Sequence, residues 1–169
     1  QYSPSIRLRL QSDVQPLDVY RTLRVLHSGP YLFLLKSPQC TLIGSSPENL
    51  IRVRDETGAS RSYQKAVDAL RANLPSESVS GVPKIRAMQL IDKTEPTRRG
   101  PFGGAVGYFD YAGNADACAA HRMIIWRNGS YDGQAGIEIT EGSSPANSYE
   151  SCMNHARSVM RAVEIATRN

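Results

Sequence analysis

Residues 80–122 read SGVPKIRAMQLIDKTEPTRRGPFGGAVGYFDYAGNADACAAHR, and this stretch decides the fold. Ser80 can cap a helix and Pro83 suits its first turn, where a fixed φ costs nothing. Ile85, Met88 and Ile91 recur at helical spacing and predict the buried face. The helix must end before Pro96. Glycine-rich strands follow over 103–110 and 117–127, then 130–140. Asn128-Gly129, between the last two, is a strong two-residue hairpin signal. A helix followed by hairpins, with no βαβ rhythm, predicts an α+β fold with a mainly antiparallel sheet.

The flanking sequence agrees. Ser5 to Gln11 alternates Ile6, Leu8 and Leu10 with Arg7 and Arg9, as a strand does. Pro16 opens a helix that buries Val19, Leu23 and Leu26 and stops near Gly29-Pro30. Strands are predicted over 31–35, 40–44 and 50–54. A polar turn region covers 55–62, and a helix over 65–74 places Val67, Leu70 and Leu74 on one face. Ser144-Pro145 starts a last helix with Cys152, Ala156, Val159, Met160 and Val163 on its apolar stripe.

The chain has 169 residues and a net charge of +4. That length suits a single domain, 1–169, with a real core. The basic residues form no dense patch with interleaved aromatics, which argues against nucleic-acid binding. The cysteines, Cys40, Cys118 and Cys152, show no metal-ligand spacing. They fit a reducing, cytoplasmic setting. No apolar run is long enough for a membrane span, and the N-terminus lacks a signal-peptide core.

The hairpin carries the candidate chemistry. With Asn128-Gly129 as its turn, Arg127 faces Ser130 and Arg122 faces Ala135. Arg122 is then the lone charge on an apolar face with Cys118, Ala120, Ile124 and Trp126. An arginine there must find an anion, either an internal carboxylate or a ligand, and its fork suits a carboxylate. The opposite face carries His121 and Glu138, which could exchange protons as an acid–base pair or be a structural pair. Gly103, Gly104 and Gly107 thin a strand, by a sheet bend or by close approach of a ligand or another backbone. Ser78 and Ser80-Gly81 lie before a helix N-terminus, where they cap or meet an anion. Lys84 sits in the first turn, where the helix dipole disfavours a cation.

The block resembles the core of the chorismate-binding enzymes, closest to anthranilate synthase component I. Gly44-Ser45-Ser46-Pro47-Glu48 resembles that family's GxSPE turn, and Ser78 to Lys84 its TxSGAPK segment. Glu95 to Phe109 resembles EPxRRGxYGGAVGYF, and Gln134-Ala135-Gly136 the start of QAGAG. The closing helix resembles SxPxxEYxETxNKAR. The resemblance implies a reduced version of the chorismate-binding fold. It places Arg122, Ser78, Lys84, Phe102, Gly103 and Gly136 at a substrate site.

Three departures accompany it. Between roughly Ser62 and Gln64 the family carries a long central stretch, with its GTR substrate loop, magnesium-binding glutamates and a histidine that assists loss of the ring hydroxyl. In the last helix, the positions of the other metal glutamates hold Ser148 and Ser151, while Glu150 points elsewhere. At the carboxylate site, the family's tyrosine is Phe102, its threonine is Ser78, and the second glycine of QAGAG is Glu138. The resemblance with these losses implies no metal and no cofactor, and removes the motive for a glutaminase partner. A sheet uncovered by the shortening would be covered most simply by a homodimer.

The expected function is a metal-independent enzyme of specialised biosynthesis acting on a small-molecule substrate by rearrangement, cyclisation or elimination. Glu138 and His121 would move protons and Tyr108 would donate a hydrogen bond. The alternatives are a non-catalytic remnant that binds a ligand or protein, and a residual chorismate lyase.

Overall fold

A computed structural model describes residues 1–54 and 61–168, without the side chains of 61–63. The polar turn expected over 55–62 falls mostly outside the described residues, as does the side-chain setting of the junction near Ser62. The elements in order are β1 (Ser5–Gln11), α1 (Pro16–Leu26), β2 (Tyr31–Lys36), β3 (Thr41–Ser46) and β4 (Asn49–Val53). Then come α2 (Arg61–Asn73), α3 (Glu77–Ser80), α4 (Lys84–Thr94), β5 (Ala105–Phe109) and β6 (Ala115–Ala119). The chain continues through β7 (Met123–Arg127), β8 (Ser130–Gly136) and α5 (Pro145–Arg168).

The strands form a five-stranded sheet, β1-β8-β7-β3-β2, and a three-stranded sheet, β4-β6-β5. All their pairings are antiparallel. The fold is therefore α+β, as the hairpin signals predict. Asn128 and Gly129 both take positive φ, 51° and 74°, which a right-twisted two-residue hairpin demands. The register places Arg127 opposite Ser130 and Met123 opposite Gln134.

The apolar clusters show how the layers stack. Val19 and Leu23 of α1 and Val159, Met160 and Val163 of α5 pack on Ile43, Ile124 and Tyr131 of the larger sheet. Between the sheets lie Phe33, Cys118, Ala120, Met123 and Ile125. Ala66 of α2 covers Ile51, Ala115 and Ala117 on the far side. The order is thus helices, large sheet, small sheet, helix. Each apolar stripe is removed from water at about 25 cal/mol per Å². Tyr131 is fully buried, its hydroxyl donates to the Val14 carbonyl at 2.5 Å, and burial pushes its phenol up to about 12. No helix among the described residues is long and apolar enough to cross a membrane.

The strand expected over 117–127 is two strands in different sheets. The chain leaves the small sheet after Ala119 and joins the large one at Met123. The link over 120–122 changes the alternation. Cys118 and Ala120 pack with Met123 and Ile125, while Ile124 faces the helices. The β3–β4 turn makes the reverse passage beside it. Ser45 N–H donates to the Arg122 carbonyl at 3.0 Å, and Ala119 N–H donates to the Glu48 carbonyl at 3.2 Å.

Two helix faces also differ from expectation. Ile85 is 75% exposed and Met88 44%, and the buried residue of α4 is Ala87. This helix packs chiefly on α3, so its larger apolar side chains have no described layer above them. Leu26, at the end of α1, is 38% exposed because the core contact ends at Leu23.

Candidate functional site

The two side-by-side crossovers place unlike side chains around one cavity of about 440 Å³. Its wall includes His121 and Arg122 from the β6–β7 link, Ala135 to Glu138 at the end of β8, and Ser78 and Val79 from α3. Phe102 contributes an aromatic surface, while His27 and three residues of α5, His155, Ser158 and Val159, complete it. Most residues expected at a site are thereby brought together: Ser78, Phe102, His121, Arg122, Gly136 and Glu138.

Arg122 is exposed to this space. Its guanidinium makes no hydrogen bond or ion pair among the described residues, and Glu138 is not its partner. Phe102 is 4% exposed and lies under the Arg99 guanidinium, 5.4 Å from the ring centroid. Gly136 allows the tight fit beside it. A Cβ there would stand 3.0 Å from the Pro4 carbonyl oxygen and 3.7 Å from Phe102 Cζ.

The expected His121–Glu138 pair is not formed. His121 Nε2 instead stands 3.6 Å from Glu48 Oε2. That gap is longer than a hydrogen bond, and the nitrogen is buried without a partner. Burial pushes the imidazole below its ordinary range; Glu48 opposes this and Arg122 adds to it. His121 is therefore a neutral base, and its contact with Glu48 is not an ion pair at neutral pH. Glu48 accepts hydrogen bonds from Ser76 at 2.6 Å and Ser78 at 2.7 Å. Ser78 thus spends its proton on Glu48.

Three expected site residues lie elsewhere. Tyr108 is 59% exposed on β5, at the edge of the small sheet. Lys84 turns back to the end of α2, where Nζ donates to the Ala72 carbonyl at 3.2 Å. A cation beside the C-terminus of α2 offsets its poor place at the N-terminus of α4. Gly103 has φ of +83° in a turn, and lines a second cavity of about 570 Å³ with Met88, Ile91 and Arg98. Gly107 answers to backbone approach, since a Cβ there would strike the Asp116 carbonyl and Ala117.

Glu48, Ser76, His27 and His155 were not anticipated as site residues. Glu48 lies in the quoted GSSPE turn, the one signal that could have marked it. His27 and His155 stand alone in sequence, and only the packing of α1 against α5 unites them.

Among the described residues, the cavity offers few of the oxygen donors that the magnesium of the resembled family would need, Glu138 being the one carboxylate in its lining. α5 offers this cavity His155, Ser158 and Val159, and no carboxylate. Ser148 lines a separate apolar groove with Ile6, Ile139 and Tyr149, and Ser151 and Glu150 are exposed. Among the described residues no three His, Cys, Asp or Glu side chains gather as ligands. A hard cation needs several oxygen ligands, and the Glu48 oxygens already hold two serines.

The profile of the chorismate binding enzymes matches residues 1–63 and 57–161. The anthranilate synthase component 1 of Acetivibrio thermocellus is 30% identical over 240 residues, covering 96% of this chain and 49% of that protein. That of Pseudomonas aeruginosa is 30% identical over 247 residues, covering 100% and 50%. The chain spans about half the length of these curated relatives, and the alignments run well past its 169 residues. Anthranilate synthase component I from Streptococcus pneumoniae superposes with a TM-score of 0.81 at 26% identity, over 95% of this chain and 53% of that one. A Bacillus anthracis isochorismate synthase structure shares the fold, with a TM-score of 0.77 at 15% identity, over 96% and 66%. With the motifs, the profile match and the superposed fold in agreement, this chain belongs to the chorismate-binding enzyme family, in a shortened form.

Proposed function

We propose that the chain binds a carboxylate-bearing small molecule in the Arg122 cavity and acts on it without magnesium. The observation that carries this reading is Arg122, which lines the cavity and whose guanidinium has no partner among the described residues. A bidentate carboxylate would satisfy it. The neutral His121 and the exposed Glu138 supply groups that can accept and return a proton beside the anchored ligand. Such a site suits a rearrangement, cyclisation or elimination, in which orientation does much of the work. The reading places the chain in specialised biosynthesis as a cytoplasmic homodimer and needs no glutaminase subunit. The lack of a carboxylate on the cavity face of α5 supports the metal-free part.

Incubation with chorismate, with and without magnesium, followed by product analysis tests this. Binding without magnesium-dependent anthranilate formation is expected. Magnesium-dependent conversion to anthranilate would overturn the metal-free reading. For any product found, Glu138→Gln should abolish turnover while the variant still folds.

A further inference from the structure

The two crossovers each deliver an ionisable group to neighbouring points. The β3–β4 turn brings Glu48, and the β6–β7 link brings His121 followed directly by Arg122. His121 Nε2 is buried, unpartnered, and 3.6 Å from a Glu48 oxygen. A buried polar nitrogen without a partner costs free energy, and a proton on it would be held by the facing carboxylate. Ser76 and Ser78 fix that carboxylate while the imidazole titrates.

We infer that the cavity takes up a carboxylate and a proton together, the anion on Arg122 and the proton on His121 against Glu48. This deepens the proposed function and rests on its carboxylate site. In the empty cavity, burial and the Arg122 charge both resist the imidazolium. An anion on Arg122 cancels the second of these. It also displaces water, and a lower effective dielectric strengthens the attraction between Glu48 and the imidazolium. The coupling is reciprocal, so the proton must tighten the anion by the factor with which the anion tightens the proton. The other titratable groups around this cavity are Glu138 past β8, His27 after α1 and His155 of α5. His27 Nε2 already donates to the Ser158 carbonyl at 3.0 Å, and His155 is exposed. His121 alone combines burial with an empty nitrogen and a facing carboxylate.

The chain has three histidines, so ¹³C-labelled protein gives three imidazole signals, assignable with His27→Asn, His121→Asn and His155→Asn. Without ligand, Glu48→Gln should lower the His121 midpoint and Arg122→Gln should raise it. Should Glu48→Gln fail to fold, Glu48→Asp moves the charge away and should lower the midpoint less. With benzoate as probe, an anion across this range, wild-type affinity should rise about fivefold or more from pH 8 to pH 6. Calorimetry in two buffers of different ionisation enthalpy should show proton uptake that His121→Asn removes. A His121 midpoint indifferent to Glu48→Gln, or benzoate affinity flat with pH, would overturn the coupling. Benzoate that binds at no pH would overturn the carboxylate site itself, while the ligand-free titrations still decide the His121–Glu48 pair.

Discussion

Arg122 and Glu138 line one cavity and form no ion pair. An internal pair would have silenced the arginine, and its absence leaves an unpaired cation on a residue of the cavity wall. Glu138 then acts as a nearby negative charge that a bound anion must tolerate. Arg122→Gln should cost a carboxylate about 1.5–3 kcal/mol of binding, the range for hydrogen bonds to charged groups. Its folding stability should move by no more than about 0.5 kcal/mol, as for a surface change. Glu138→Gln should tighten benzoate, the opposite direction. Titration calorimetry and urea denaturation of both variants check this.

Arg99 and Glu95 form the most buried ion pair among the described residues, joined at 2.6 Å with side chains 14% and 9% exposed. Arg99 also donates to the carbonyls of Val79 and Ser3, so one side chain ties α3, the N-terminal segment and the end of α4. Arg99→Met leaves Glu95 buried without its cation and frees Phe102 from its cover. The expected loss is about 3–5 kcal/mol, the range for breaking one side of a buried pair. Urea denaturation measures it, and a loss under about 1 kcal/mol would show the pair to be dispensable.

Acid should destabilise the fold in two steps. Burial holds His121 below its ordinary 6.5, so the unfolded chain binds this proton first. Stability is then lost as pH falls from 6.5 through the folded value. Burial pushes the Glu95 carboxyl up, but the hydrogen bonds from Arg99 and Ser5 and the Arg99 charge outweigh it, holding the group below its ordinary 4.5. That stability is present above 4.5 and lost below it. Melting temperature against pH should show both steps, and His121→Asn should remove the upper one alone.

Tyr108 is exposed on β5, an edge of the small sheet, with Tyr111 just beyond the strand. An edge bearing aromatics invites pairing with another chain, and a charge there discourages it. We propose that the homodimer pairs through this edge. Light scattering should find a dimer for the wild type and a monomer for Tyr108→Lys. A monomeric wild type would refute the association.

The elements that sequence revealed are those whose cause is local. Pro16 starts α1, Asn128-Gly129 turns the hairpin, and the stripe from Cys152 to Val163 is buried along α5. The passage between sheets at 120–122 left no local mark. Apolar residues run on through Ala119, Ala120 and Met123, and only the pairing of β6 with β5 and of β7 with β3 separates them. That passage moved His121 from Glu138 to Glu48. The family motifs marked Arg122, Phe102 and Gly136, and the fold brings all three to one cavity wall. The Glu48–His121 contact was not legible in the sequence, because it depends on two distant crossovers lying side by side. The stripe of Ile85 and Met88 misled for a related reason: periodicity writes the face of a helix, but packing decides whether anything covers it.

Calorimetric titration of chorismate, in chelator and again in excess magnesium, is the most direct test of a metal-free carboxylate site on Arg122. The account predicts equal binding by the wild type in both conditions, and about a tenfold or greater loss in Arg122→Gln. Binding that appears only with magnesium, or that survives unchanged in Arg122→Gln, would contradict it.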